Sequence, residues 1–394
     1  MIGYTFYERD SRLRRYAEAL VARGDSVDVI ALGNKDLPSL EVIEGVRVYR
    51  IQKRLINEKS KGSYFWRILK FLVNSALFVS MKHLGARYDL IHVHSVPDFE
   101  VFAALLPKLT GAKIILDIHD IVPEFYASKF HVGKESLVFR ALLLLEKISI
   151  RFSDHVIIAN HLWEKKLTCR SVAAEKCTTF LNYPDRTHSH VRSRKPDNGR
   201  FVAMYPGSLN WHQGLDIAIK AFAIVRAELA DAEFHIYGKG PEENALRELV
   251  SDLGLRSIVS FRGFLPLDKI YERMAEATVA IVPKRNDPFG GDAFSTKVLE
   301  FMSLGIPIVL SKTRIDSYYF RNEVVEFFDP EDCEDLARSI VLLARDEKRR
   351  RELSANALKF VEKYYWEEKK EDYFSLIDKL LNVSPVEKVR TARG

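Results

Sequence analysis

Short runs of β-branched and aliphatic residues alternate with longer amphipathic segments along nearly the whole chain. Each short run has the length of a buried strand, and each longer segment has the spacing of a helix with one apolar face. Parallel strands need a crossover between them, and a helix usually supplies it. The pattern therefore predicts an α/β protein in which helices cover both faces of doubly wound parallel sheets.

The pattern contains two series of elements, one in each half of the chain. The strands predicted in the first half are Ile2–Phe6, Val27–Leu32, Val46–Ile51, Asp89–His94, Lys113–Ile118, His155–Ala159 and Cys177–Leu181. The strands predicted in the second half are Phe201–Tyr205, Glu233–Tyr237, Ile258–Phe261, Val279–Val282, Ile306–Leu310 and Val324–Phe328. The helices predicted there are Leu215–Glu228, Glu242–Leu253, Leu267–Ala275, Lys297–Ser303 and Glu334–Arg345, followed by a helical tail over Asp346–Leu381.

A polar stretch, Thr187–Arg200, separates the two series and contains proline and glycine but no apolar periodicity. Such a stretch is typical of a linker between domains. A chain of 394 residues also exceeds one ordinary hydrophobic core. We therefore predict Rossmann-like domains over residues 1–190 and 200–365, and a final helical segment over 366–394.

Composition narrows the class of protein. Hydrophobic residues make up 47% of the chain and charged residues 29%, as in soluble globular proteins. The net charge of +6 is small, and no nucleic-acid-binding module is recognisable, so we expect no nucleic-acid partner. Three cysteines without zinc-site spacing indicate reduced thiols. With neither a signal-peptide pattern nor an 18-residue apolar run, we expect a cytoplasmic protein.

One segment has the composition of a surface-binding helix. The stretch 53–82 begins with basic residues and continues as SYFWRILKFLVNSALFVSMKHL, which includes Arg67, Lys70 and Lys82. Such a helix can lie at a membrane interface, where anionic lipid attracts it. This interpretation implies peripheral contact with the inner face of the cell membrane. The alternative, which the sequence leaves open, is a helix packed on its own domain with its basic residues in water.

The segment Asp287–Val309 has the features of a site for a phosphate-bearing ligand. A helix start near Phe294–Thr296 offers backbone N–H groups and the positive end of the helix dipole to anionic oxygens. Lys297 adds a positive charge on the first turn. Glu300 lies one turn further on, where its carboxylate can accept hydrogen bonds from sugar hydroxyls. The alternative is a capped surface helix whose Lys297 and Glu300 are solvated.

Glycine-containing turns follow three strands of the second series. Gly207, the Gly238–Gly240 turn and Gly263 each come directly after a predicted strand. Glycine permits tight turns and a close approach of a ligand to the backbone. Ligands of doubly wound sheets bind at the carboxyl ends of the strands. These turns, with Arg262 as an edge for a nucleobase, therefore predict a binding site at one end of the second sheet.

These segments resemble the retaining glycosyltransferases of family 4, and the resemblance covers nearly the whole chain. Asp292 to Glu300 is similar to that family's acidic–x7–acidic motif, GSLNWHQGLDIAIKAF to the turn and helix that open its donor domain, and YGKGP to its Gly-x-Gly-Pro turn. The resemblance implies the GT-B fold, with two facing Rossmann-like domains and a C-terminal helix that crosses back to the N-terminal domain. It also implies a nucleotide-sugar donor and neither a metal nor another cofactor.

The resemblance implies roles for individual residues. Glu300 would bind the donor ribose, and Asp292 would lie near the donor sugar. His119, in ILDIHDIVPE just past a strand, would lie beside the same sugar, although a lone histidine is more often structural. The catalytic candidates are His119, Asp292 and Lys297. The candidates for donor binding are Gly207, Ser208, Gly238, Lys239, Arg262, Phe294, Ser295, Thr296 and Glu300.

Two features of the first half leave alternatives open. His92 and His94 are two apart on a strand and so face one side, as a pair of metal ligands would. No third ligand at a suitable spacing supports a metal, and packing is the favoured alternative. Many relatives carry a Gly-Gly loop after the first strand, where this chain has Glu8–Arg12. Arg12 then either reaches the acceptor or the phosphates, or forms a salt bridge at a helix start.

The donor turn also departs from the family pattern. Ser208 and Gln213 stand where many relatives have an arginine and a lysine that contact the diphosphate. The site therefore has about two fewer positive charges, which puts its donor affinity and activity in question. Lys297, together with Lys284 or His212, would have to compensate.

The front end of the chain resembles a subgroup that makes bacterial surface polysaccharides. We therefore expect a retaining hexosyltransferase that uses a nucleotide-sugar donor and a glycan or lipid-linked acceptor, in exopolysaccharide or cell-surface polysaccharide biosynthesis. A nucleotide-sugar epimerase on the same scaffold and a catalytically weak, sugar-binding scaffold protein are the alternatives. A dehydrogenase is disfavoured, because no strand is followed by Gly-x-Gly-x-x-Gly.

Overall fold

The computed structural model describes residues 1–54, 61–130, 132–188 and 200–383. The chain divides into two compact units, one made of Met1–Asn182 with Lys370–Gly394 and the other of Tyr183–Lys369. Residues 189–199 of the predicted linker and 55–60 of the stretch 53–82 lie outside the described residues.

The first unit contains strands and helices in alternation. Its strands are β1 (Ile2–Phe6), β2 (Asp28–Gly33), β3 (Leu40–Ile43), β4 (Val46–Lys53), β5 (Leu90–His94), β6 (Lys113–Ile118), β7 (His155–Ile158) and β8 (Cys177–Thr179). Its helices are α1 (Ser11–Arg23), α2 (Lys61–Gly85), α3 (Leu105–Leu109), α4 (Val122–Phe130), α5 (Leu137–Phe152) and α6 (His161–Arg170).

The second unit repeats this alternation. Its strands are β9 (Val202–Pro206), β10 (Glu233–Tyr237), β11 (Val259–Gly263), β12 (Val279–Val282), β13 (Ile308–Ser311) and β14 (Glu326–Phe328). Its helices are α7 (Leu215–Glu228), α8 (Glu243–Asp252), α9 (Leu267–Met274), α10 (Thr296–Ser303), α11 (Arg314–Tyr319), α12 (Cys333–Arg345) and α13 (Glu347–Val361). The last helix, α14 (Trp366–Leu381), begins in the second unit and continues into the first.

Both sheets are doubly wound. The first has the order β3-β4-β2-β1-β5-β6-β7-β8, and only β3 pairs antiparallel with its neighbour. The second has the order β11-β10-β9-β12-β13-β14, and all its pairs are parallel. The direction of winding reverses between β1 and β5 in one sheet and between β9 and β12 in the other. These arrangements confirm the predicted α/β class with two Rossmann-like units.

Buried strands explain why the sequence pattern was informative. Strands β7, β12 and β13 are buried at every residue and consist almost entirely of apolar residues. A parallel sheet covered by helices on both faces requires such continuous apolar runs. The bounds predicted for Ile2–Phe6, Lys113–Ile118, Glu233–Tyr237 and Val279–Val282 agree with those of the structure.

Two local features were not predicted. Strand β3 (Leu40–Ile43) pairs only with β4 at the sheet edge, and its residues alternate between exposed and partly exposed. An edge strand of four residues with little burial has no apolar run to mark it. The helical tail over Asp346–Leu381 is interrupted by a 3₁₀ turn at Glu362–Tyr364, which separates α13 from α14.

The two turns that follow β9 and β10 touch so closely that one requires glycine. Gly238 has φ +135°, and a Cβ there would lie 1.7 Å from the carbonyl oxygen of Gly207. Gly263 also has a positive φ, +73°, but a Cβ there would meet no atom within 4 Å. A residue with a Cβ would therefore be strained at either position. At position 238 its Cβ would also clash with the carbonyl oxygen of Gly207.

We expect Gly238→Ala to destabilise the protein much more than Gly263→Ala. The left-handed conformation alone costs about 1–2 kcal/mol for a residue with a Cβ, which is our expectation for Gly263→Ala. Gly238→Ala should lower the free energy of unfolding by at least twice that amount, because the Gly207 turn must also move. Urea unfolding followed by circular dichroism measures both, and equal losses in the two variants would contradict the expected clash.

Candidate functional site

The carboxyl ends of β9, β10 and β11 form one hydrogen-bonded edge. The N–H of Gly207 donates to the carbonyl of Tyr237 at 2.8 Å. The N–H of Gly238 donates to the carbonyl of Gly263, also at 2.8 Å. The turns that the sequence predicted separately are therefore adjacent in the second unit.

Lys297, on the first turn of α10, reaches this edge. Its Nζ lies 3.3 Å from Gln213 Oε1 and 3.4 Å from Ser295 Oγ. It also lies 5.0 Å from the centre of the Tyr205 ring. A Cβ at Gly207 would lie 3.3 Å from this Nζ. Glycine at position 207 therefore leaves space beside the ammonium group.

Two lysines in this region, the buried Lys284 and the partly buried Lys297, differ in how their charge is balanced. Lys284 Nζ lies 2.8 Å from a carboxylate oxygen of Asp316 and donates to the carbonyl of Ala293 at 2.8 Å. In the part of the chain that the structure describes, no carboxylate lies within salt-bridge distance of Lys297 Nζ. Burial lowers the pKa of Lys297 to about 8, and the nearby charge of Lys284 acts in the same direction. The charges of Glu300 and Asp316 act in the opposite direction, but neither carboxylate is paired with Lys297, so an anion beside it would meet an ammonium group without a direct ion-pair partner among the described residues.

The helix that carries Lys297 starts without a side-chain cap. Ser295 precedes the first residue, Thr296, and its side chain makes no hydrogen bond to the N–H groups of the first turn. Those N–H groups and the positive end of the helix dipole are suited to bind anionic oxygens. This finding excludes the alternative of a capped helix start at Ser295. The uncapped start and Lys297 together form a site suited to a phosphate group.

Asp292 is held by an arginine that sequence analysis did not single out. Arg314 Nε donates to Asp292 Oδ1 at 2.7 Å, and Arg314 Nη2 donates to the carbonyl of Asp287 at 2.8 Å. Asp292 itself is 8% exposed. The ion pair fixes the direction of the carboxylate, so a sugar hydroxyl would meet an oriented acceptor.

The other donor candidates lie on the same sheet end or on α10. Ser208 accepts a hydrogen bond from the Tyr205 hydroxyl through its carbonyl, and both Ser208 and Lys239 are exposed. Arg262 is exposed and donates to Ser260 Oγ at 3.0 Å.

Phe294 lies in the loop before α10, and Glu300 lies within the helix. Phe294 packs edge-to-face on Tyr319, with ring centres 4.8 Å apart, so it anchors the loop before the helix. Glu300 is partly exposed and lies one turn after Thr296. The roles assigned to these residues in donor binding stay predictions.

Lys284, His212 and Lys297, which were expected to supply the positive charge that is missing at Ser208 and Gln213, differ in their surroundings. Lys284 is neutralised by Asp316, and the ring of His212 packs edge-to-face on Phe289 at 5.7 Å. Lys297 is therefore the stronger candidate to supply the missing positive charge.

In the first unit, a buried ion pair lies at the end of β6. Arg12 donates to both carboxylate oxygens of Asp117, through Nε at 2.7 Å and Nη2 at 2.8 Å. Its Nη1 donates to the carbonyls of Phe180 and Leu181 at 2.8 and 3.0 Å. The structure therefore supports the salt-bridge alternative for Arg12, which is too buried to reach a ligand.

His119 shares this carboxylate. Its Nε2 lies 3.2 Å from Asp117 Oδ2 and 3.2 Å from His94 Nδ1. Burial by itself lowers the pKa of His119, but the charge of Asp117 and its hydrogen bond outweigh burial, so the pKa is raised. For Asp117, burial by itself raises the pKa, but the charges of Arg12 and His119 outweigh burial and hold the pKa well below its usual range. His119 is 24% exposed, so an oriented imidazole is accessible at this point.

His92 and His94 stack on one side of β5, with ring centres 4.3 Å apart. Burial lowers the pKa of both, that of His92 to about 3, so both rings are neutral near pH 7. His92 Nδ1 lies 2.8 Å from the hydroxyl of Tyr373, which belongs to α14. The pair therefore links the sheet to the last helix, in agreement with the packing alternative.

Asp117 is nevertheless a third ligand-type residue beside this pair. Ligand-type atoms of His92, His94 and Asp117 lie within 4.8 Å of one another, which the spacing in sequence did not reveal. Both oxygens of that carboxylate already accept N–H groups of Arg12. A cation there would face a buried guanidinium group, so the cluster fits an ion-pair network better than a metal centre.

Sequence reasoning missed Asp117, Tyr373 and Arg314. Asp117 had a signal, since it is the one acidic residue inside the otherwise apolar end of β6, KIILDI. Tyr373 had none, because its partner His92 is 281 residues away. Arg314 is likewise an ordinary basic residue until the fold brings it to Asp292.

Two family models match the chain. "Glycosyl transferase 4-like domain" matches residues 10–182, and "Glycosyl transferases group 1" matches residues 186–360. An uncharacterized glycosyltransferase of Methanocaldococcus jannaschii is 26% identical over 89% of this chain and 89% of that protein. WcaL of Salmonella typhimurium, named as a candidate colanic acid biosynthesis glycosyltransferase, is 26% identical over 40% of this chain and 39% of that protein.

Solved structures with the same fold are also glycosyltransferases. Sucrose-phosphate synthase of Thermosynechococcus elongatus has a TM-score of 0.78 at 19% identity, over 97% of this chain and 99% of that one. Anabaena HepE in complex with UDP-glucose has a TM-score of 0.71 at 16% identity, over 96% and 98% of the two chains. The chain therefore belongs to the GT4-like glycosyltransferases of the GT-B fold. None of the helices over the described ranges is long and apolar enough to cross a bilayer.

The His119 environment gives a testable expectation. Asp117→Asn removes the charge that raises the pKa of His119 and keeps the side-chain size. We expect the pKa of His119 to fall below its ordinary value, because burial then acts without the opposing carboxylate. NMR titration of the His119 imidazole, assigned by its loss in His119→Gln, measures this change.

Tyr373→Phe is the matched control for this experiment. It removes a hydroxyl bonded to His92 in the same network but changes no charge, so the pKa of His119 should stay raised. Circular dichroism verifies that both variants fold. An unchanged His119 pKa in folded Asp117→Asn protein would show that the carboxylate does not control this imidazole.

Proposed function

We propose that this protein is a retaining, metal-independent hexosyltransferase that moves a sugar from a nucleotide-sugar donor to a glycan or lipid-linked acceptor. We further propose that its product contributes to exopolysaccharide or other cell-surface polysaccharide. The observation that carries the proposal is Lys297, a partly buried ammonium group with no carboxylate within salt-bridge distance among the described residues, beside Gly207 and the uncapped start of α10. The similarity to WcaL supports the polysaccharide assignment.

The chemistry needs charge stabilisation more than a protein nucleophile. The bond from the anomeric carbon to the diphosphate breaks, and negative charge grows on the leaving oxygen. Lys297 and the N–H groups of α10 stabilise that charge without a metal. The acceptor hydroxyl attacks from the face that the diphosphate leaves, and a phosphate oxygen takes its proton. The configuration at the anomeric carbon is then retained.

Other residues hold the donor in this proposal. Glu300 accepts hydrogen bonds from the ribose, and Asp292, oriented by Arg314, accepts them from the donor sugar. His119 holds the same sugar near its transition-state geometry and does not act as a base. The glycine turns at Gly207 and Gly238 let the donor approach the backbone.

A thermal-shift panel tests donor binding. The panel contains UDP, GDP, ADP and their common sugar conjugates, each with and without EDTA. We expect one nucleotide family to raise the melting temperature, since a ligand that binds only the folded state stabilises it, and EDTA to leave the shift unchanged. HepE binds UDP-glucose, so uridine nucleotides are the first to test. No shift with any nucleotide would favour the scaffold alternative, and a shift that EDTA abolishes would contradict metal independence.

Product analysis with the stabilising sugar nucleotide separates the remaining classes of activity. Transfer to an added glycan or lipid-linked acceptor, with the donor's anomeric configuration retained in the NMR coupling constant of the product, supports the proposal. Conversion of the donor into an epimeric nucleotide sugar would identify an epimerase. An inverted anomeric centre would contradict the retaining mechanism.

Lys297→Met should remove the main charge at the leaving group. We expect release of nucleoside diphosphate from the donor to fall about 100- to 1000-fold, the scale for loss of one preorganised charge-stabilising group. Lys220→Ala is the matched control, because Lys220 is an exposed lysine on α7 whose side chain is 52% exposed. Near-normal release by Lys297→Met would remove Lys297 from the mechanism.

The lowered pKa of Lys297 adds a pH dependence. With a pKa of about 8, Lys297 is mostly charged at pH 7 and loses its proton as the pH rises through 8. Affinity for the nucleoside diphosphate should therefore be nearly level around pH 7, begin to fall as the pH approaches 8, and fall up to about tenfold per pH unit above it, as one linked proton requires. Isothermal titration calorimetry between pH 7 and 9 measures this slope, and Lys297→Met should lack it.

A further inference from the structure

The outer side of α2 is apolar and exposed. The residues that form it are Trp66, Val73, Leu77, Met81 and Leu84, each between 55% and 75% exposed. Their spacing of seven, four, four and three residues places them along one side of the helix. On the opposite side, Ile68, Phe71 and Val79 are buried in the first unit. The helix is thus packed on its own unit through one side only.

The charged residues of α2 all have the same sign. Lys70 and Lys82 are exposed and Arg67 is partly exposed, while the 25 residues of the helix include no aspartate or glutamate. Within α2, the charged residues beside the apolar stripe are all basic, and exposed apolar patches of this kind mark interaction sites.

Helix α3 extends this surface. It packs against α2, and its residues Leu105 and Leu109 are 54% and 76% exposed. Lys108 of the same helix lies over the ring of Phe152, the last residue of α5, at 5.2 Å. The 3₁₀ segment Asp98–Ala104, which leads into α3, packs against both α2 and α5. The three helices are therefore neighbours on one side of the first unit.

Helix α5 repeats the pattern of α2. Its exposed apolar residues Leu137, Leu144 and Ile148 are 82%, 59% and 46% exposed. Its exposed charged residues are Arg140, Lys147 and Arg151. The one acidic residue of α5, Glu146, is buried and paired with Arg170. We call the exposed apolar and basic residues of α2, α3 and α5 the basic–apolar face.

We propose that the basic–apolar face docks on the surface of a lipid bilayer that contains anionic lipids. Apolar side chains that water covers in the free protein would enter the region between headgroups and acyl chains, and the lysines and arginines would contact lipid phosphates. Charge complementarity selects this occupant. A second copy of the chain would place basic residues against basic residues, and a nucleic acid would leave the apolar side chains in water.

The inference deepens the proposed use of a lipid-linked acceptor, because it would bring the first unit to the surface where such acceptors lie. Docking itself is measured without turnover, however, so the two proposals fail separately. If the protein releases nucleoside diphosphate from the donor but does not bind vesicles, the docking proposal is contradicted and the donor proposal is not. Absence of a nucleotide-induced thermal shift in protein that binds vesicles contradicts the donor proposal alone.

Vesicle flotation tests the inference with the full chain. Vesicles of phosphatidylcholine with 30% phosphatidylglycerol should bind the protein at least tenfold more tightly than vesicles of phosphatidylcholine alone. High salt should weaken that binding, because salt screens the basic residues. Equal binding to both kinds of vesicle, or to neither, would overturn the proposal.

Substitutions locate the contact. Leu77→Glu with Met81→Glu adds two negative charges to the exposed side of α2 and should reduce binding to anionic vesicles at least tenfold. The matched control is Ile224→Glu with Leu342→Glu, an exposed apolar pair on α7 and α12 of the second unit, 40% and 45% exposed. Equal loss in both double variants would overturn the assignment to this face. So would a concentration-dependent dimer, seen by analytical ultracentrifugation, that the α2 variant alone abolishes.

Trp66 reports insertion directly. It is 69% exposed, whereas Trp163 and Trp366 are buried. Brominated lipids should quench tryptophan fluorescence in the wild-type protein, and Trp66→Phe should lose most of that quenching. Quenching that persists in Trp66→Phe would place the contact elsewhere on the protein.

Discussion

The buried ion pair between Arg12 and Asp117 holds together the end of the first sheet. Arg12 comes from α1, Asp117 ends β6, and the remaining N–H groups of the guanidinium satisfy two carbonyls that follow β8. Breaking a buried pair by removal of one partner typically costs about 3–5 kcal/mol, because the other charge is left without compensation. The same carboxylate orients His119, so the stability of this sheet end and the geometry of the catalytic candidate depend on one interaction.

In the second unit, the two lysines near the candidate site differ in their counter-charges. Lys284 is neutralised by Asp316, whereas among the described residues the hydrogen-bond partners of the Lys297 ammonium group are the amide of Gln213 and the hydroxyl of Ser295, which are both uncharged. Burial disfavours the charged form of Lys297, and the nearby charge of Lys284 acts in the same direction, which is why the pKa of Lys297 is lowered. In the proposed function, a bound diphosphate would supply a counter-charge to this lysine.

The sequence predicted the fold more completely than the site. Continuous apolar runs marked the buried parallel strands, but β3 lacked such a run because it lies at an edge with little burial. The positions of Lys297 and of the glycine turns could be predicted, because the sequence signals of a helix start or a tight turn lie within a few neighbouring residues. The partners of Asp117 and His92 were not found, since Arg12 and Tyr373 lie 105 and 281 residues away in the chain. Arg314 is only 22 residues from Asp292, but no sequence pattern pairs the two. The basic composition of α2 was evident, but only burial shows which of its sides is uncovered.

Gln213 gives the departure from the family pattern a physical explanation. Its Oε1 accepts hydrogen bonds from the Tyr205 hydroxyl at 3.0 Å and from Lys297 at 3.3 Å. A lysine at position 213 would bring a second ammonium group to where this oxygen now lies, and two like charges in a buried site disfavour each other. The amide at position 213 therefore leaves Lys297 without a second ammonium group at this point, whereas a lysine at 213 would add repulsion between like charges. In the proposed function, Lys297 of α10 would supply the positive charge that the donor turn lacks, and the neutral side chain at position 213 would leave that ammonium group without a like charge beside its amide.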